Sequence, residues 1–230
     1  FIGDNGRCNV RGKGYLFEPG INIPLLIYNP FSEGNKIVND LVPVTDLTAT
    51  ILDYAGIDKP KYMTGKSFLK DDFNRKYVYA ARDQWDEIMD KSRAIVTKKW
   101  KYIRNYKPEI PYDAGQAYLE FYRPAVHIMR TAKSKNLLTN AQLHFFKESK
   151  DLEELYDLEN DPHEINNLAL DPSFQNIMNK FRIDMEEYNK RYRPMSDEYE
   201  PIIAESVVIL EWVKKNRPEE YKRMLEGYEI

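Results

Sequence analysis

The sequence predicts an α/β fold followed by a smaller α+β subdomain, and three features carry that expectation. Short apolar runs of strand length alternate with a helical stretch over the first 90 residues. Residues 93–97 and 100–106, rich in β-branched and aromatic side chains, then read as an antiparallel hairpin. A strongly periodic helix starting at Asp171 packs on that hairpin. The expected division is residues 1–90 for the end of an α/β layer and residues 91–230 for the subdomain.

Each element has a local reason. Phe1-Ile2 reads as the tail of a buried strand running into the turn formers Gly3-Asp4-Asn5-Gly6. Residues 23–28 form a second apolar run, closed by Asn29-Pro30. Residues 40–56 predict a helix with Pro43 near its start and Gly56 at its end. Leu47, Ile51, Leu52 and Ala55 share one face of it. Residues 77–81 supply a further strand, and residues 107–150, with Pro108, Pro111 and Pro124, read as a long excursion with short helices. Residues 155–158 form a strand ended by the turn sequence Glu159-Asn160-Asp161-Pro162. From Asp171, an N-cap followed by Pro172, apolar residues from Phe174 to Tyr192 recur at three- and four-residue intervals. Another helix is expected after Pro194 through Val213, with a break at Arg217-Pro218.

Composition narrows the function classes. Lys+Arg 34 against Asp+Glu 37 leaves no field of one sign, which argues against nucleic acid as a partner. No stretch reaches the roughly 18 apolar residues of a membrane span. One cysteine, Cys8, excludes an internal disulfide. The 17 tyrosines suit sugar stacking and equally suit packing at half-buried positions.

Chemistry gathers in the first thirty residues. Asp4 and Asn5 follow a strand directly, at the sheet end where open α/β folds place ligands. They offer oxygens to a hard cation such as Ca²⁺, and the same tripeptide with Gly6 suits a simple Asx turn. Arg11 and Lys13 lie in Arg-Gly-Lys-Gly, where small neighbours let a cationic head approach an anion or leave a solvated basic turn.

The run GDNGRCNVRGKGYLFEPGINIPLLIYNP resembles the sulfatase segment that carries the second pair of metal ligands and a sulfate-binding lysine. VPVTDLTATILDYAGI with YMTGKSFL, RAIVTKKWKYIRNY and ELYDLENDPHEINNLA resemble later blocks of that family, in family order. AARDQWDEIMDKSRAI and KYIRNYKPEIPY are most similar to the heparan N-sulfatase branch of this alkaline-phosphatase-like superfamily. The resemblance implies that Asp4 and Asn5 are half of a Ca²⁺ site, that Lys13 contacts sulfate, and that Arg11 is a neighbouring contact. Arg82, Asp83, Asp86 and Glu87 lie where the branch shapes its sugar pocket. Their other reading is as strand-end and cap residues. A periplasmic, secreted or lysosomal location is implied in the same way.

Sulfatases act through a formylglycine made within Cys/Ser-x-Pro/Ala-x-Arg, and no such pattern occurs in the 230 residues; Cys8-Asn9-Val10-Arg11 fails it twice. The only Asp pair, Asp71-Asp72, lies in a polar stretch and not after a buried strand. The expectation is therefore a C-terminal fragment whose nucleophile, its arginine and first metal ligands would lie upstream of Phe1. Such a chain would be inactive alone, would hold Ca²⁺ weakly, and would self-associate through an exposed sheet edge. Two other readings remain: a phosphatase or phosphodiesterase of the same superfamily, and a non-catalytic module that binds anionic sugar.

Overall fold

The computed structural model describes residues 1–30, 34–85, 88–114, 120, 123–191, 211–219 and 221–222. Its centre is a four-stranded antiparallel sheet in the order β1 (Val78–Trp85), β2 (Ile88–Val96), β3 (Trp100–Asn105), β4 (Glu153–Asp157). The strands are consecutive neighbours, so the sheet is a meander with residues 106–152 inserted before its last strand. The boundary expected at residue 90 falls within β2.

The β2–β3 hairpin forms as its composition predicts, and it does so without a turn glycine. The Thr97 hydroxyl accepts from the backbone N–H of Trp100 at 2.7 Å and of Lys99 at 3.2 Å, taking over the closing of the turn. Alternation along the strands sorts the core onto two faces. Ile95, Tyr102 and Leu155 point to one face, where Met178, Phe181 and Met185 of helix α5 (Gln175–Arg191) cover them. Ala94, Ile103 and Tyr156 point to the other, covered by Tyr15 and Phe17 from the N-terminal loop and by Tyr112, Phe145 and Phe146 from the excursion. That excursion contains helices α3 (Pro124–Ser134) and α4 (Asn140–Leu143), the latter opened by a Thr139–Gln142 capping box. Asp171 accepts from Ser173 N at 2.8 Å and starts a 3₁₀ turn that leads into α5. Residues 211–216 are helical, and the expected stretch from Pro194 to Leu210 lies outside the described residues.

Two expectations change. The strand expected over residues 23–28 is reduced to one antiparallel bridge, Ile2 with Leu25, closed by the pairs Phe1–Leu26 and Gly3–Pro24. Pro24 brings no N–H to a ladder, which limits the pairing. The helix expected over residues 40–56 is α2 (Val44–Tyr54), because Pro43 sits extended at its N-cap and disfavours helix in the residue before it. Gly56, at φ +70, ends it in the left-handed conformation. The face of α2 that is buried is also not the apolar one. Asp46, Ala49 and Thr50 point inward, and Asp46 receives the Arg75 guanidinium and the Lys66 N–H. Ile51 is 59% exposed. Among the described residues no helix is long and apolar enough to cross a membrane.

Candidate functional site

The N-terminal loop is a folded object pinned to the sheet. Its own backbone closes two turns, with Arg7 O accepting from Asn9 N at 2.9 Å and from Lys13 N at 2.8 Å, and Arg7 N donating to Pro19 O at 2.8 Å. Gly6 passes so near the carbonyls of Pro19 and Gly20 that a Cβ would meet them at about 2.4 Å. Gly14 combines a φ of +92 with the ring of Trp85 lying where its side chain would be. Gly6 and Gly14 are therefore required by close approach, Gly14 as the second glycine of Arg-Gly-Lys-Gly.

The side chains divide the predicted site. Asp4 is exposed at the loop's outer end, and Asn5 is half-buried with its amide donating to Gly6 O at 3.0 Å. Lys13 is half-buried between its glycines. Arg11 turns the other way. Its guanidinium lies 3.6 Å from the centre of the Phe17 ring and donates to the carbonyls of His163 at 2.6 Å and Glu164 at 2.5 Å. In this arrangement Arg11 anchors the loop to the turn after β4.

Arg82 reaches from β1 to donate to Gly14 O at 3.0 Å, and pairs with Asp90 at 3.4 Å. Asp83 is held by Arg93 at 2.5 Å. Asp86 and Glu87 lie outside the described residues. Cys8 is exposed, as are Asp71 and Asp72.

Sequence reasoning missed Arg123. It is 2% exposed and donates to Asn9 O and to Lys13 O, each at 2.7 Å. No local pattern marks it, because the contact spans 110 residues and Arg123 precedes a proline in an aromatic stretch. Also missed were the buried charges beneath the loop. Lys101, fully buried on β3, pairs with Glu18 and Glu164, each at 2.7 Å. The Glu164 carboxylate also accepts from the Glu18 N–H, which opens the short helix α1 (Glu18–Ile21). Glu154 is buried and accepts from Asn105 at 2.7 Å, from Tyr156 at 2.5 Å and from the Tyr112 hydroxyl. Burial pushes its carboxyl up while these three donors pull it down. Burial holds His144 at about 4, helped by Lys147 and Arg11. Beside Arg82, Asp90, Ser92, Asn105 and Tyr112 lies a cavity of about 10 Å³, no larger than one water.

The donor set for a cation is small. Asp4 and Asn5 supply hard oxygens of the right chemistry, yet Ca²⁺ takes 6–8. The described residues contain no group of three or more His, Cys, Asp or Glu that could hold a metal. The two residues therefore do not by themselves make a metal site.

Residues 6–113 and 111–191 match the family described as N-sulphoglucosamine sulphohydrolase, C-terminal. An ulvan-active sulfatase of Formosa agariphila is 35% identical over 192 residues, covering 82% of this chain and 32% of that protein. The N-sulphoglucosamine sulphohydrolase of Homo sapiens is 27% identical over 201 residues, covering 79% of this chain and 39% of that protein. Among solved structures, a 2-O GAG sulfatase shares the fold with a TM-score of 0.55 at 22% identity, over 81% of this chain and 34% of that one. The chain spans about a third of the length of these relatives. Matched from residue 6 to residue 191, it belongs to the family of N-sulphoglucosamine sulphohydrolase C-terminal regions, within the sulfatases.

Proposed function

We propose that this chain is the C-terminal part of a hydrolase that removes sulfate from a sulfated carbohydrate, with the N-sulfate of a glucosamine as its target. The observation that supports this most is the loop itself. A lysine stands between two glycines, in a turn whose carbonyls at both ends are gripped by buried arginines. A loop so fixed can present one ammonium to an anion without reorganising. Lys13 would neutralise the charge that grows on the sulfate oxygens as sulfur is attacked. Asp4 and Asn5 would contribute to a Ca²⁺ site completed by residues outside these 230. Arg82, Asp83, Asp86 and Glu87 are proposed to wall the sugar pocket. Arg11 is proposed to neighbour the sulfate through the loop that it anchors.

The attacking group of sulfatases is a formylglycine hydrate, and its sequence pattern does not occur in this chain. Residues 1–90 are proposed to be the end of the catalytic layer and residues 91–230 the subdomain of a secreted, periplasmic or lysosomal enzyme. The edge at Phe1-Ile2, with the exposed Leu26 and Ile27 beside its one bridge to Leu25, is proposed to support self-association. The purified 230-residue chain is expected to release no sulfate from N-sulfated glucosamine or from 4-nitrophenyl sulfate. Joined to a sulfatase N-terminal region that carries the nucleophile, it should gain turnover, and Lys13→Ala should then lower kcat about 10²–10³-fold. Sulfate release by the 230 residues alone would overturn the division of labour, and a Lys13→Ala variant with unchanged kcat would overturn the role of the lysine.

A further inference from the structure

We infer that Arg123 is the positioning residue for Lys13, an inference that rests on the proposed sulfate contact of that lysine. The geometry is specific. One guanidinium nitrogen donates to Asn9 O and another to Lys13 O, both at 2.7 Å, so a single planar group spans the two ends of the turn that carries Arg11 and Lys13. The guanidinium stands 5.2 Å from the centre of the Trp85 ring, and that ring also fills the space in front of Gly14. Arg82 grips the next carbonyl, Gly14 O, from the same side.

The backbone after the Lys13 Cα is therefore fixed by Arg82 from β1 and Arg123 from the start of α3, and the backbone before it by the Lys13 N–H donating to Arg7 O. The Lys13 carbonyl is held inward, which leaves only the side-chain torsions to aim the ammonium. Two guanidinium nitrogens of Arg123 are committed to backbone carbonyls, so its part is positioning. A lysine at 123 could reach one carbonyl at a time, because its ammonium is a point donor on a flexible stem.

Inorganic sulfate is the probe, titrated into the 230-residue chain against chloride at matched ionic strength. Binding is read from the amide resonances of Gly12, Lys13 and Gly14. The parent chain should show saturable shifts that Lys13→Ala removes. Arg123→Gln should weaken sulfate binding about tenfold or more, since misplacing a reacting group by about an ångström is costly. Arg123→Lys should recover part of that loss. Arg182→Ala, on the opposite face of the sheet, should lower the melting temperature and leave sulfate affinity unchanged, separating positioning from general stability. Equal affinity in Arg123→Gln and the parent would overturn the inference. If Arg123→Gln does not fold, Arg123→Lys decides, and parental affinity in that variant overturns it. Sulfate shifts that are absent in the parent, or that persist in Lys13→Ala, would instead overturn the reading of Lys13, and the inference with it.

Discussion

Residues 78–191 supply both core faces of one sheet with side chains such as Ile95, Tyr102, Ile103 and Tyr156, whereas residues 1–57 add Val10, Tyr15, Leu16 and Phe17 to one of those faces and turn many others outward. Tyr28 and Ile37 are about nine-tenths exposed, and Leu26, Val38, Val44, Ile51, Tyr54 and Ile57 are all more than half exposed. The sheet region is packed within itself, with Tyr102 stacked on Phe181 and Tyr112 stacked on Phe145, and Tyr15 of the N-terminal loop is set edge-on against Trp85 and Phe145. The N-terminal region takes its order from outside itself. Arg82, Arg123 and the turn at residues 163–164 hold the loop, and Arg75 holds α2. One region builds the sheet and its core, and the other is a loop that adds four residues to that core and an exposed apolar face beside it.

The largest effect is expected where the contact between the two regions depends on buried charge. Lys101→Met leaves Glu164 and Glu18 facing each other without their cation, and should lower stability by about 3–5 kcal/mol in thermal denaturation. Adding Glu164→Gln should return part of the loss; no return would mean that the pair acts through packing alone. Phe181→Ala should cost about 3–5 kcal/mol by opening a cavity under α5, while Ile51→Ala on the exposed face should stay within about 0.5 kcal/mol. Equal costs for the two would remove the distinction between the regions.

Acid should act through the interface between the regions. His144 lies between Phe17 and Tyr112 and stays neutral in the fold, because burial lowers its pKa from 6.5 to about 4. A group whose folded pKa is depressed binds its proton more readily when unfolded. Stability is thus complete above pH 6.5 and falls as pH drops towards 4, by up to about 3 kcal/mol. His144→Gln should flatten that part of the stability profile, and an unchanged slope would assign the loss to other groups. The smallest effect on stability is expected from Leu26→Lys at the exposed edge. It should leave the melting point in place and shift sedimentation towards monomer. A parent chain that already sediments as a monomer would count against self-association.

Much of the sheet region was legible from local pattern. The β-branched and aromatic runs on either side of Lys98-Lys99 predicted the hairpin, and the three- and four-residue spacing after Asp171 predicted α5. The N-terminal region was less so. Apolar periodicity placed Ile51 and Ala55 inward, yet the inward face is that of Asp46, which answers to an arginine 29 residues away. The loop's composition marked Arg11 and Lys13 as a pair of basic residues, and nothing near them showed that Arg11 would reach His163 and Glu164 while Arg123 took hold of Lys13 O.

Residue type and spacing over a few positions were enough for the family, the β2–β3 hairpin and helix α5, and they marked Asp4, Asn5 and Lys13 as candidates. Only the tertiary fold shows that Arg82 and Arg123 hold the loop and that its own Arg11 is spent on the turn after β4. That choice is made by contacts across 68 to 153 residues, where the fit of a buried guanidinium to particular carbonyls outweighs any local preference.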